Sequence, residues 1–68
     1  MIEMMFTGQT SKVGSMRVIH GRVYWVTYQV DLSTGSVCAY IADSIISESW
    51  QECLYGSLEK FFENWKRI

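Results

Sequence analysis

The sequence predicts a small α+β domain in which an antiparallel β-sheet packs on one C-terminal amphipathic helix. Three observations predict it: apolar residues alternate along the first two thirds of the chain, a turn signature separates two of these segments, and an apolar stripe of helical period fills the last third. The connections between strands are too short for crossovers, so the strands are expected to be antiparallel. The expected order is β-β-β-β-α, or β-β-β-α if the first segment is irregular.

The clearest pair of strands runs from Arg22 to Leu32 and from Ser36 to Ala42. The residues expected on the core face of these strands are Tyr24, Val26, Tyr28, Val30, Val37, Ala39 and Ile41. The connecting Asp31-Leu32-Ser33-Thr34-Gly35 has turn chemistry, because Asp bonds local amides and Gly takes positive φ. A three-residue loop would turn half of the apolar set to the opposite face, so burial favours a four-residue loop that places Asp31 opposite Ser36.

Two shorter segments precede this hairpin. Ser15 to His20 is expected to be a strand joined to the hairpin through His20-Gly21. Ile2, Met4 and Phe6 alternate with Glu3, Met5 and Thr7 as a weaker first strand. Gly8 to Gly14 is expected to be a loop, so that the sheet spans about residues 2–44.

The last third of the chain is predicted to be a helix over about residues 50–68. The apolar residues that recur there at steps of three and four are Trp50, Leu54, Leu58, Phe61, Trp65 and Ile68. Ser49-Trp50-Gln51-Glu52 fits the capping box, in which the serine and glutamate side chains satisfy backbone donors of the first turn. With this helix on one face of the sheet, residues 1–68 are expected to form a single domain.

Length and composition restrict the class of protein. The chain has 68 residues, 49% of them hydrophobic, and a net charge of −1, which is typical of folded globular domains. A core this small often gains stability by association, so a homodimer is expected.

No run approaches the roughly 20 apolar residues of a membrane span, and Met1-Ile2-Glu3 lacks the basic start of a signal peptide. We therefore expect a cytoplasmic protein that does not associate with membranes.

Residues that carry chemistry are few. His20 is the single histidine and is expected to be exposed in a turn, and Cys38 and Cys53 lack CxxC spacing and are expected to be reduced, half-buried thiols. The glycines show neither the P-loop nor the dinucleotide-binding spacing. The sequence thus predicts no enzyme, no metal site, no cofactor and no small-molecule substrate.

A helix on one face of the sheet leaves the second face aromatic and weakly charged, which is typical of a contact surface. The predicted function is that of a small non-enzymatic protein-binding module. It would act as a regulator or inhibitor by occupying a partner surface, in the manner of small proteins encoded by phages and mobile elements. The predicted partner-binding residues are Val23, Trp25, Thr27, Gln29, Cys38 and Tyr40.

The alternative function is nucleic-acid binding. No acid occurs from Met4 to Val30, so the first half of the chain is basic. Cations neutralise phosphates and aromatic rings stack on bases, and the residues available for both are Lys12, Arg17, Arg22, Trp25 and Tyr40. The pI of about 5.6 stands against this alternative, because dedicated nucleic-acid domains are strongly basic.

Overall fold

The computed structural model describes residues 1–44, 46 and 49–68. These residues form the strands and helix β1 (Ile2–Phe6), β2 (Ser11–Val13), β3 (Met16–Val18), β4 (Val23–Val30), β5 (Val37–Ala42), β6 (Gln51–Tyr55), α1 (Leu58–Asn64) and β7 (Trp65–Arg67). Five of the described strands make one antiparallel sheet in the order β6-β5-β4-β1-β7, and β2 pairs with β3. The predicted α+β class is confirmed, whereas the three or four strands predicted are too few.

The register predicted for the central hairpin is confirmed. Its inner pairs are Val30 with Val37, Tyr28 with Ala39, and Val26 with Ile41. The Asp31 backbone N–H donates to the Ser36 carbonyl at 2.8 Å, which closes the four-residue loop. Gly35 adopts a φ of 77°, a conformation that glycine takes without steric cost.

The Asp31 side chain holds this loop, because its Oδ1 accepts from the Ser33 backbone N–H at 2.9 Å and from the Ser33 hydroxyl at 2.6 Å. The hydroxyl hydrogen bond lowers the pKa of Asp31 below its usual 3.8. A carboxylate with a lowered pKa stabilises the fold above its usual pKa, and this contribution is lost as pH falls through the pKa of the folded state. The turn is therefore expected to weaken in acid.

Asp31→Ala is expected to lower the thermal midpoint at pH 7, with the gap to the wild type narrowing once pH falls below about 3.8. Circular dichroism melts of both proteins at pH 7 and at a pH below about 3.8 measure the difference in thermal midpoint at each pH. Glu3→Ala, which removes an exposed carboxylate outside the turn, is the matched control. A gap of the same size at both pH values would contradict a role for the ionised carboxylate.

The segments before the hairpin are partly as predicted. The weak first strand is confirmed as β1, which lies between β4 and β7. The expected loop from Gly8 to Gly14 is wrong in part, because it contains β2, and the strand expected over Ser15 to His20 is shortened to β3. Gly14 starts the two-residue turn between β2 and β3 with a φ of 61°, as the first position of a type II′ turn requires.

The predicted helix over residues 50–68 is wrong in its extent. The segment instead contains β6, the short helix α1 and β7. Ser57, not Ser49, caps the helix, and its hydroxyl accepts from the Lys60 backbone N–H at 3.2 Å. Leu54, placed on the apolar helix stripe by the sequence, is 70% exposed on a strand. Gly56 lies in the connection from β6 to α1, where it interrupts no helix.

Pairing with β5 explains why the segment is extended. The inward residues Val37, Ala39 and Ile41 of β5 are 0% exposed, and they lie opposite Tyr55, Cys53 and Gln51 of β6. Without β6 the backbone N–H and C=O groups of this buried strand would lose their partners, at about 1–3 kcal/mol for each group left buried and unpaired. Helix propensity differs by less than about 1 kcal/mol per residue among ordinary residues, so strand pairing decides the outcome.

The core lies on one side of the sheet, which we call the inner face. Its buried residues are Met4, Phe6, Val18, Tyr24, Val26, Val37, Ala39, Ile41, Phe61 and Trp65. Phe61 of α1 packs on Tyr28 of β4 with ring centroids 4.6 Å apart. The helix therefore covers the sheet face that the hairpin pattern predicts.

The β2–β3 hairpin also lies over the inner face. The Ile19 backbone N–H donates to the Tyr24 hydroxyl at 2.9 Å, and that hydroxyl donates to the Arg17 carbonyl at 3.4 Å. Val18 of the hairpin is 0% exposed.

In the described part of the chain, no helix is long and apolar enough to cross a membrane.

The two edge strands of the sheet meet across the core. The indole Nε1–H of Trp65 in β7 donates to the Tyr55 hydroxyl in β6 at 2.8 Å. These strands stand at opposite ends of the strand order, and a strand spacing of about 4.8 Å would separate them by about 19 Å in a flat sheet. The sheet is therefore strongly curled, concave on its inner face and convex on the other side, which we call the outer face.

Candidate interaction surface

The residues predicted to bind a partner lie together on the outer face of β4 and β5. Their register pairs Thr27 with Tyr40 and Gln29 with Cys38, beside Trp25 with Ala42. Val23 falls on the same face by alternation along β4. The structure thus brings together Val23, Trp25, Thr27, Gln29, Cys38 and Tyr40.

These side chains present a mixed surface. Thr27 and Gln29 are exposed, and Val23 is 39% exposed. Trp25 and Tyr40 are half-buried, so each ring packs partly against its neighbours and shows the rest to solvent. Aromatic and β-branched residues favour strands because they pack well on a pleated surface, which also explains their presence at these positions.

Strand β6 extends this surface with residues that sequence reasoning missed. Glu52 lies opposite Tyr40, and Leu54 lies opposite Cys38. They were missed because this segment was interpreted as a helix. The sequence offers no strand signal here, because the apolar Leu54 shares a face with Glu52 and breaks any alternation of apolar and polar residues.

The first and last strands complete the opposite border of the outer face. Glu3 lies opposite Trp25 across the β1–β4 pair, and Lys66 of β7 lies opposite Met5. Charged side chains thus flank a centre of aromatic, apolar and uncharged polar residues, with Glu52 on the other border. A centre depleted of charge with a charged rim is common in protein–protein interfaces.

Tyr40 is electrostatically tied to its neighbours on this face. A hydrogen bond with the Cys38 side chain raises the pKa of Tyr40, and the negative charge of Glu52 acts in the same direction. The phenol, which is neutral at pH 7 in any case, is therefore harder to ionise in alkali.

The residues predicted for nucleic-acid binding are divided between two surfaces. Lys12 lies opposite Arg17 in the β2–β3 hairpin, and both side chains are exposed. Arg17 and Arg22 line an open groove of about 480 Å³ beside Asp43. Trp25 and Tyr40, by contrast, lie on the outer face, on the other side of the sheet from this hairpin. The cations are therefore not placed among the rings predicted to stack on bases.

His20 is exposed and holds the loop that follows β1. Its Nδ1 lies 2.9 Å from the Gly8 carbonyl oxygen, and its backbone N–H donates to the Thr10 hydroxyl at 3.0 Å. A carbonyl oxygen only accepts, so the first contact requires the tautomer protonated at Nδ1. This placement in a turn agrees with the sequence prediction.

The two cysteines are half-buried thiols, as predicted, and occupy neighbouring strands. Cys38 lies on the outer face, whereas Cys53 lies opposite Ala39 on the inner face. Within residues 1–44, 46 and 49–68, neither thiol is hydrogen-bonded to His20, and no three His, Cys, Asp or Glu side chains form a group that could hold a metal ion.

The outer face is therefore a convex sheet face with aromatic rings and a thiol on β4 and β5 and an exposed leucine on the edge strand β6. No protein-family model, curated protein or solved structure matches the chain.

Proposed function

We propose that the chain is a small protein-binding module that acts as a regulator or inhibitor by occupying a surface on a larger protein. The contact surface is the outer face centred on Trp25, Thr27 and Tyr40. Leu54 carries the proposal, because its side chain is 70% exposed on a strand, opposite Cys38 and diagonally across from the half-buried ring of Tyr40. Apolar and aromatic groups clustered on one exposed face favour association with another protein surface.

The curled shape of the sheet supports this proposal. A convex face inserts into a concave surface on a partner, and short side chains such as Thr27 at its middle allow close approach. Half-buried aromatic rings lose little conformational freedom when they are bound, since they are already packed on their own strand. Trp and Tyr are accordingly the residues most enriched among binding hot spots.

Nucleic-acid binding remains the second candidate, and one observation favours it. Arg17 lines two neighbouring depressions. It shares one of them with Arg22 and the other with Lys12. Among the described residues, neither arginine forms an ion pair. Such a row of cations would contact phosphates from the hairpin side, without the rings of the outer face.

One affinity experiment separates the two candidates. The tagged chain is used to recover binding partners from a lysate of its source, alongside the variants Thr27→Arg and Arg17→Ala. Thr27→Arg places a bulky cation at the centre of the outer face, whereas Arg17→Ala is the matched control on the hairpin. Both positions are exposed, so each substitution is expected to change the free energy of unfolding by about 0.5 kcal/mol or less.

The expected result is a discrete protein that is recovered by the wild type and by Arg17→Ala, and lost with Thr27→Arg. Recovery of nucleic acid that is lost with Arg17→Ala and at raised salt would support the second candidate instead. A protein recovered equally by all three chains would contradict both surfaces. Repeating the recovery with the purified partner shows whether the contact is direct.

A further inference from the structure

Strand β6 has one neighbour in the described sheet, which leaves its second edge unpaired. In antiparallel pairs, alternate residues direct their backbone groups toward the same neighbour. Asp31 and Ser36 form a hydrogen-bonded pair, so by alternation Val37, Ala39 and Ile41 of β5 direct their backbone groups toward β6. The β6 residues between their partners, Glu52 and Leu54, therefore direct their N–H and C=O groups away from the sheet.

The opposite edge of the sheet is protected in a way that β6 is not. Strand β7 has three residues, of which Lys66 and Arg67 are positively charged. The backbone N–H of Trp65 already donates to the Phe61 carbonyl at the end of α1. Short, charged edge strands resist pairing with another chain, whereas β6 has five residues with Glu52 as the one charge.

We propose that the chain forms a homodimer by antiparallel pairing of β6 with β6 of a second copy. A two-fold axis through Cys53 places Glu52 opposite the second copy's Leu54, and Leu54 opposite the second copy's Glu52. The outward N–H and C=O groups of these two residues then meet their equivalents, giving four backbone hydrogen bonds. The two sheets become one continuous sheet, and each copy supplies the same patch, as a two-fold interface requires.

The side chains of β6 favour this register and pairing with a second copy of the chain. The only charge on the strand faces a leucine, so no like charges are directly opposed. The two Leu54 side chains lie diagonally across the axis on the outer face. Each covers part of the other, and each is 70% exposed in the monomer. A foreign strand would need a matching pattern, whereas a second copy supplies it by symmetry.

The dimer shares Leu54 with the proposed function and covers part of that side chain, but the two proposals are tested at different residues. Thr27 lies on β4, two strands from the free edge, so the pairing leaves Trp25, Thr27 and Tyr40 accessible. The Thr27→Arg variant is accordingly expected to remain dimeric. Loss of partner binding and loss of the dimer are thus separate results.

The first test combines solution mass with thiol cross-linking of the full chain. Light scattering is expected to give twice 7.9 kDa at high concentration and to fall toward 7.9 kDa on dilution. The two Cys53 side chains face each other across the axis, so a short bismaleimide is expected to join them. The two Cys38 residues are three strand spacings apart across the sheet and two residues apart along it, or about 16 Å. Cross-linking is therefore expected to persist in Cys38→Ser and to disappear in Cys53→Ser.

The second test uses charge to examine the register. Leu54→Glu places two pairs of carboxylates in direct opposition, whereas Leu54→Lys places each lysine opposite a glutamate. The dissociation constant of the Glu variant is expected to exceed that of the Lys variant by about tenfold or more at low salt, with a smaller ratio at high salt. Circular dichroism of both variants at low concentration verifies that the monomer remains folded.

Three results would overturn the proposal. They are a mass that stays at 7.9 kDa at every concentration, a cross-link that survives Cys53→Ser, and equal dimer affinity of the Glu and Lys variants. Each of them can be obtained without knowing any partner of the protein.

Discussion

Trp65→Ala is expected to remove a large share of the free energy of unfolding. Trp65 is 1% exposed, and its ring lies 5.0 Å from that of Phe6 and 5.9 Å from that of Tyr24. Truncation of a buried tryptophan costs about 3–5 kcal/mol, and a domain of 68 residues has about 3–10 kcal/mol of stability in total. Far-ultraviolet circular dichroism and urea titration measure the loss.

Tyr55→Phe separates the hydrogen bond of the Trp65 indole from the packing of its ring. It retains both rings but removes the hydroxyl that accepts from the Trp65 indole at 2.8 Å. A buried donor left without its acceptor costs about 1–3 kcal/mol, so this variant is expected to fold with reduced stability. Wild-type stability in Tyr55→Phe would contradict a contribution of the bridge between the edge strands. Wild-type stability in Trp65→Ala would contradict the placement of its ring in the core.

Phe61→Ala is expected to destabilise the fold by about 3–5 kcal/mol, whereas Phe62→Ala is expected to cost about 1 kcal/mol or less. The two residues are adjacent in α1, but Phe61 is 0% exposed and Phe62 is 45% exposed. The Phe61 ring contacts Tyr28 at 4.6 Å and Tyr55 at 5.5 Å, so its removal opens a cavity between the helix and the sheet. Urea titration of the two variants, matched in chemistry and helix propensity, measures the difference.

Equal destabilisation by the two substitutions would show that α1 is rotated about its axis relative to the sheet. A larger loss for Phe62→Ala would place Phe62 in the core instead. Far-ultraviolet circular dichroism without denaturant checks that the Phe62→Ala chain retains the wild-type structure.

The central hairpin could be predicted to the residue because its determinants are local. Alternation sets the faces of β4 and β5, and the chemistry of Asp31 and Gly35 sets the length of the loop. A shift by one residue would expose the whole apolar set of a strand, so one register has a large advantage. The part of the outer face that lies on these two strands was predictable for the same reason.

The extent of the helix could not be predicted because it is decided by a distant strand. Steps of three and four place Leu54 on the same stripe as Phe61, and nothing within the segment contradicts a long helix before Gly56. The buried edge of β5 makes the extended conformation of β6 the more stable one. Leu54 and Glu52 belong to the outer face only as a result of that pairing.

The position of β1 between β4 and β7 has a consequence for how the protein is made. Met4 pairs with Tyr24 on one side and with Arg67 on the other. A chain emerging from the ribosome can close the first contact early, but β1 has an unpaired side until residue 67 has been synthesised. Contacts between residues so far apart in sequence slow folding, because closing the long intervening loop costs entropy before the contact stabilises the fold. The sheet is thus completed late, from strands near the two ends of the described sequence.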